Sequence, residues 1–208
     1  MTDGAARPPR RGWLLRVLTW PVSLLLIVAT VLVGNVIVEN LPGTQEMFRP
    51  FVHSGPMGVE LDAQALTATV VSVQGGQSVT TTRDGTYRTD ALFLVVHVVL
   101  TARKAPANLA HASVVDRTGR VFEYSGRLRQ GFNLRPLQPE IPTEGDLVFE
   151  VPRDSATGLV VRLSPDLIGR QHNQQRVIEV DLGIDQADVD RWLSGNQPVP
   201  TSDPEVKG

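Results

Sequence analysis

The sequence has no cysteine among its 208 residues. Disulfide scaffolds, thiolate metal sites, thiol nucleophiles and cysteine-linked lipid anchors are therefore excluded. Aromatic residues are scarce at 5%, and the formal net charge is only −2. A generic nucleic-acid-binding protein carries a clear basic excess. The composition thus predicts no nucleic-acid partner and resembles that of one ordinary globular domain.

One long apolar run stands apart from this average. Residues 17–38 carry no charge, and fourteen of these 22 residues are Leu, Val or Ile. At about 1.5 Å rise per residue the run gives about 33 Å of helix, which is enough to cross a hydrocarbon core of about 30 Å. The sequence therefore predicts a transmembrane helix over 17–38, with the lipid bilayer as its partner.

The flanking charges predict the orientation of this helix. Residues 1–16 contain four arginines and one aspartate, whereas residues 39–60 carry an acidic excess. The positive-inside bias predicts a cytoplasmic segment 1–16 and an extracytoplasmic remainder. The alternatives are a cleaved signal peptide and a buried soluble helix. A signal-peptide apolar region is usually about 7–15 residues and ends at a small-residue site, which is absent after Val38, so we favour an uncleaved signal anchor in the cell membrane.

One face of the predicted span carries small side chains. Thr19, Ser23, Thr30 and Gly34 fall within about 60° of one another at 100° per residue, and such stripes let helices approach closely. They form a candidate helix-packing stripe. The alternative is that Thr and Gly are simply common in transmembrane helices.

The rest of the chain divides into spacer, body and tail. Residues 39–60 contain six Pro and Gly residues without sustained periodicity, which predicts an extracytoplasmic spacer. Residues 61–183 form the body. In 184–208, acidic residues around Asp185 suit the start of a short helix, whose Trp192 and Leu193 should pack on the body, and a disordered tail follows Gly195.

The body has the pattern of an all-β domain. Leu92–Leu100 is nine residues with one polar side chain, as in a central strand buried on both faces. Alternating runs end at Val151, Leu163 and Leu182, and Asp116–Gly119 predicts a hairpin turn. No helical pattern separates these runs. About seven strands in some 120 residues predict an antiparallel immunoglobulin-like β-sandwich.

Several segments of the body carry a family resemblance, namely Phe93–Leu100, Val115–Tyr124 and Leu137–Pro152. They resemble an uncharacterised immunoglobulin-like family of exported and membrane-anchored proteins from Gram-positive bacteria, including actinobacteria. The fold of that family is similar to that of the mycobacterial immunoprotective extracellular protein. The resemblance covers roughly residues 65–182 and implies fold and export, but no catalytic residue. The chain departs from the family at Thr101-Ala102-Arg103, where an Asn and a small residue are frequent.

Residues with chemical potential are few. No nucleotide-binding, metalloprotease or serine-hydrolase motif occurs, and the four histidines are widely separated. The sequence therefore predicts no cofactor, no metal and no enzymatic activity. A hydrolase using His97 or His111 as a base is the alternative, but a hydrogen-bonded core histidine is the preferred interpretation of His97.

The loop Ser125–Ile141 is the candidate partner-binding segment. Arg127, Arg129 and Arg135 surround Phe132 in a stretch longer than most sandwich connections. Guanidinium groups around an aromatic ring can bind an anionic polymer, a lipid headgroup or carboxylates of a partner. The alternative is a solvated loop in a chain where 18 of 20 basic residues are arginine.

Together these features predict a single-pass, membrane-anchored interaction module of the cell envelope, with an envelope or membrane protein as its partner. The alternative is an accessory subunit of a membrane complex, assembled through the transmembrane helix.

Overall fold

The computed structural model describes residues 29–30, 51–83, 85–125, 128, 131–132, 136–167 and 176–208. Ala29 and Thr30 are helical and exposed, and the other described residues belong to one compact unit, Pro50–Gly208. Within these ranges, no helix combines the length and apolarity needed to cross a bilayer. The predicted span 17–38, apart from Ala29 and Thr30, lies outside the described residues.

The described residues form two packed sheets. In chain order the strands are β1 Phe51–Pro56, β2 Glu60–Asp62, β3 Leu66–Thr81, β4 Gly85–Ala102, β5 Ala107–Val115, β6 Val121–Glu123, β7 Thr143–Val151, β8 Val160–Leu167, β9 Arg176–Asp181, β10 Val199–Pro200 and β11 Glu205–Val206. A 3-10 turn covers Arg153–Ser155, and the C-terminal helix covers Gln186–Ser194. Sheet A has the order β1-β9-β8-β5-β6; sheet B has the order β10-β3-β4-β7-β11, and β2 also pairs with β3.

The β-sandwich class agrees with the prediction from sequence, but its limits differ. β1 lies inside the predicted spacer 39–60, and β10 and β11 lie inside the predicted disordered tail. Two pairs, β1 with β9 and β10 with β3, are parallel, whereas a wholly antiparallel sandwich was expected. These strands pair with segments about 120 residues away, so local periodicity carries little sign of them.

The centre of sheet B is the strand predicted from the apolar run Leu92–Leu100. On one side of β4, Leu92, Leu94 and Val96 are buried against sheet A. On the other side, Phe93 and Val95 join a second buried cluster with Val79, Leu128, Val148 and Val199. The prediction of a central strand buried on both faces is confirmed. We call this second side the outer face of sheet B.

Part of the chain folds back over the outer face. Thr80 lies eight residues beyond Ser72, which would place it about 26 Å away along a straight strand. Asp146 lies in the same row of sheet B as Ser72. Nevertheless two consecutive residues bond to Thr80 and to this row: Thr201 N–H donates to Thr80 O at 2.9 Å, and Ser202 N–H donates to Asp146 Oδ2 at 2.7 Å. The β3–β4 hairpin bends beyond the register shift at Gly76/Ser78. Its end and the C-terminal segment therefore cover the outer face together.

The C-terminal helix packs against β3, as expected for Trp192. Its N-terminus is a capping box: Asp188 N–H donates to Asp185 Oδ1 at 2.9 Å, and Asp185 N–H donates to Asp188 Oδ2 at 3.3 Å. Trp192 lies so close to Gly75 that a Cβ there would be 2.4 Å from Trp192 Cε3. Glycine is therefore required at this contact.

Candidate functional site

A cavity of about 410 Å³ opens beside the edge of sheet B. Its walls come from the loop before β7, from the C-terminal segment and from the end of the β3–β4 hairpin. The size falls within the usual range for ligand pockets, about 300–1,000 Å³. The lining residues are Arg83, Gly131, Phe132, Pro136, Leu137, Gln138, Ile141, Thr143, Asp203, Pro204, Glu205 and Val206.

The C-terminal segment is held in place as one wall of the cavity. β11 pairs with the first residues of β7, and Lys207 N–H donates to Pro142 O at 2.9 Å. Pro204 lies against Gly145, where an added Cβ would be 2.9 Å from the Pro204 Cα atom. A side chain at 145 would therefore displace this wall.

The cavity is lined by both charged and apolar side chains. Arg83 Nε donates to Asp203 Oδ2 at 2.8 Å, which places an ion pair at one side. Ile141 and Val206 also line the cavity and remain exposed to solvent. Exposed apolar residues that continue into a cavity are typical of binding surfaces.

Tyr124 is a polar residue beside the cavity, and its hydroxyl stays uncharged. Burial, with a contribution from the negative charge of Asp203, raises the pKa of Tyr124 to about 12. Its ring meets Phe149 edge-on, with centroids 6.2 Å apart. The phenol is thus a neutral hydroxyl at any physiological pH.

The structure changes the interpretation of the predicted binding loop. Phe132 is only 1% exposed and belongs to the main core, so it cannot present a free ring to a partner. A Cβ added at Gly145 on β7 would lie 3.3 Å from the Phe132 Cζ atom, so the glycine lets the ring approach that strand closely. Arg127, Arg129 and Arg135 lie outside the described residues. The loop Ser125–Ile141 nevertheless contributes half of the residues that line the cavity. In the sequence, only the unusual length of this loop indicated such a role.

The predicted helix-packing stripe is described at one position. Thr30 is helical and exposed. Thr19, Ser23 and Gly34 lie outside the described residues.

Strand pairing brings Ser72, His97 and Asp146 into one row on the outer face of sheet B. Ser72 is opposite His97, and His97 is opposite Asp146. His97 Nδ1 donates to Asp146 Oδ1 at 2.8 Å, and the His97 side chain is 30% exposed. The sequence did not indicate this row, because a bulge at Val71 sets the register of Ser72.

The row lacks the geometry of a catalytic triad. Among the described residues no hydrogen bond joins Ser72 to His97, whereas a nucleophile and its base should be within hydrogen-bond reach. The second oxygen of Asp146 accepts the Ser202 N–H, so the carboxylate joins β4 to the C-terminal segment. His97 is hydrogen-bonded as expected but only half-buried. His111 lies exposed on β5, opposite Ser164.

A second polar cluster has a structural role at the β5–β6 hairpin. Asp116 Oδ1 accepts from Thr118 N–H at 2.8 Å and from Arg120 N–H at 2.9 Å, and Oδ2 accepts from Arg120 Nε at 2.6 Å. Burial alone raises the pKa of Asp116, but the hydrogen bonds from Thr118 and Arg120 outweigh it and hold this pKa far below its usual range. Arg120 also bonds Ser155, which ties the hairpin to the 3-10 turn. The predicted turn is confirmed, with Gly119 at φ +86°.

Metal ligation has no support in the part of the chain that the structure describes. No group of three or more His, Asp or Glu side chains is arranged there to hold an ion.

No known family and no curated protein matches the chain. An uncharacterised β-sandwich protein from Clostridium difficile 630 is 9% identical, with 63% of this chain and 95% of that chain covered and a TM-score of 0.42. The yjhA protein of Bacillus subtilis is 15% identical, with 61% and 99% covered and a TM-score of 0.42. A proposed lipoprotein of Bacillus subtilis, ycdA, is 16% identical, with 63% and 40% covered and a TM-score of 0.43. The described residues of this chain form a β-sandwich, as their two packed sheets show.

Proposed function

We propose that the protein is a single-pass, membrane-anchored, extracytoplasmic binding module of the cell envelope with an immunoglobulin-like domain. The anchor is supported by the uncharged run 17–38 and by the basic residues that precede it. The binding role is supported by the cavity beside β7 and β11. The absence of any catalytic arrangement among the described histidines and carboxylates favours binding over catalysis.

The partner that fits the cavity is a protein that inserts an apolar side chain. The single observation that carries this choice is the exposure of Ile141 and Val206 next to the cavity. A small ligand would be buried inside the pocket and would gain nothing from an apolar rim, whereas a protein surface covers both. A buried anchor surrounded by apolar contacts is the usual centre of a protein interface.

Topology can be tested with single cysteines, because the natural chain has none. Thr2→Cys and Lys207→Cys place one thiol at each end of the full chain. A membrane-impermeant maleimide should label Lys207→Cys in intact cells and Thr2→Cys only after permeabilisation. The reverse pattern, or release of the chain from membranes by alkaline carbonate, would contradict the proposed anchor.

The binding site can be tested by photo-crosslinking from a benzophenone amino acid at Val206. In intact cells this probe should form one defined adduct, identified by mass spectrometry. Ile141→Asp should reduce the adduct at least tenfold, because a charge at the rim opposes insertion of an apolar side chain. Val121→Asp, at a valine of β6 that is also exposed, is the matched control and should leave the adduct unchanged. Equal adduct in both variants would place binding elsewhere.

A further inference from the structure

The first strand after the predicted anchor is an open edge. β1 is the terminal strand of sheet A and pairs only with β9 among the described residues. Five of its six residues are exposed. Phe51 is 59% exposed and Val52 is 46% exposed. An edge strand presents unpaired N–H and C=O groups that can pair with another strand.

The other outer strands of the described sandwich are protected from such pairing. None is longer than three residues, and each carries a charge or a proline: Glu60 and Asp62 in β2, Glu123 in β6, Pro200 in β10 and Glu205 in β11. Short length, charge and proline are the usual devices that prevent edge pairing. β1 has six residues with no Asp, Glu, Lys or Arg, and its proline stands at the end. Among the outermost strands of the described sandwich, β1 is therefore the one that is both long and uncharged.

We propose that β1 pairs antiparallel with β1 of a second copy of this chain, joining two copies of sheet A across a two-fold axis. The sequence of β1 is compatible with itself, because the absence of charge avoids like charges opposite each other. An axis at His53 places Val52 opposite Ser54 and Phe51 opposite Gly55, where the ring can cover the glycine. An axis at Ser54 would instead place Pro56, which has no N–H, inside the pairing.

The membrane anchor makes this weak interface sufficient; the inference therefore rests on the proposed function. Six residues from each copy are far fewer than the about 20–30 per side of a standard interface, so pairing in dilute solution is not expected to be stable. Tethering to one membrane raises the effective concentration without any new contact.

The tethers are long enough for the proposed geometry. With the axis at His53, Phe51 of one copy lies opposite Gly55 of the other, so the two N-terminal ends are about 14 Å apart along the strands. Residues 39–50 lie between the predicted span and β1, and twelve residues reach at most about 40 Å. Both chains can therefore enter the pair from the same bilayer.

The experiment is cysteine crosslinking in the full chain, in native membranes, with a mild oxidant. His53→Cys should form disulfide-linked dimers at least ten times more than Phe51→Cys, because only the position on the axis brings its own copy within the about 7 Å that a disulfide allows. Val52→Cys and Ser54→Cys should each remain monomeric alone and should crosslink to each other when expressed together. Crosslinking of position 52 with position 54, and of neither with itself, would establish that the two β1 strands are antiparallel and that the axis lies at His53.

A lysine substituted into β1 distinguishes crosslinking through edge pairing from crosslinking through random collision. In the His53→Cys chain, Val52→Lys should abolish the dimer, whereas Val121→Lys on β6, the opposite edge of the same sheet, should leave it intact. A dimer that survives Val52→Lys, or equal crosslinking at positions 51 and 53, would overturn the proposal. If the chain is in the membrane but none of these cysteines crosslinks, the pairing alone fails. If alkaline carbonate releases the chain from membranes, the proposed membrane anchor is wrong, and the pairing loses the tethering on which it rests.

Discussion

At the scale of single residues, the contact with Trp192 leaves no room for a side chain at Gly75. A Cβ at Gly75 would lie 2.4 Å from one ring atom and 2.7 Å from another. Gly75→Ala should therefore lower the free energy of unfolding by about 1–3 kcal/mol, as expected for overpacking. Urea unfolding followed by Trp fluorescence measures this loss.

Gly195→Ala is the matched control for that experiment. Its nearest contacts would be at 3.4 and 3.6 Å, which are ordinary packing distances. We expect a change within about 0.5 kcal/mol. A similar loss in both variants would show that the loss arises from replacing glycine in general and not from the Trp192 contact.

Asp116 gives a pH-dependent contribution to stability. Because hydrogen bonds from Thr118 and Arg120 hold the folded-state pKa of Asp116 below its unfolded value, its contribution is present above about pH 4 and is lost as the pH falls through the folded-state pKa. Asp116→Asn should be less stable than the natural protein at pH 7. The difference should narrow as the pH falls below 4, measured by urea unfolding at each pH. A constant difference across this range would contradict the assignment.

Two residues show why the candidate site was only partly predictable. Phe132 stands among arginines in the sequence, but its ring is buried in the main core, in part against Gly145 of a distant strand. Ser72 joins the row of His97 and Asp146 through a bulge that local patterns do not reveal. Alternation predicts which face of a strand a residue occupies, but not the residue opposite it on the next strand.

At the scale of elements, predictability followed the strength of local patterning. The apolar run of β4, the alternation of β7 and β9, the Asp116–Gly119 turn and the acid-capped helix were all recognisable from sequence. β1, β10 and β11 were not, because they are short or contain Gly and Pro. Their positions depend on long-range pairing with β9, β3 and β7, which no local window contains.

The C-terminal helix should depend on its capping box. Asp185→Ala removes the side chain that accepts the Asp188 N–H, and we expect a loss of about 1 kcal/mol in the free energy of unfolding. Asp190→Ala, an exposed substitution within the same helix, should cost less than about 0.5 kcal/mol. Equal losses would mean that the general acidity of the helix, and not the cap, is responsible.

At the scale of the whole molecule, the near-neutral net charge is a sum of unlike regions. Basic residues precede the predicted span, and acidic excess marks the spacer and the C-terminal segment. The β-sandwich itself has no disulfide, so its stability depends on two buried clusters on either side of sheet B. The outer cluster is covered by the chain's own hairpin end and C-terminal segment, which therefore serve both the fold and the cavity.

This double role predicts the behaviour of truncated chains. Residues 50–208 should unfold without detergent in one cooperative transition that reducing agents do not affect, because the chain has no cysteine. Residues 50–200 should be less stable by about 2–5 kcal/mol, because the fragment loses the bonds of Thr201 to Thr80, Ser202 to Asp146, Asp203 to Arg83 and Lys207 to Pro142. Hydrogen exchange should then accelerate at residues 142–148 but not in β8. If the shorter fragment unfolded at the same urea concentration, the C-terminal segment would be an accessory to the cavity and would contribute nothing to the fold.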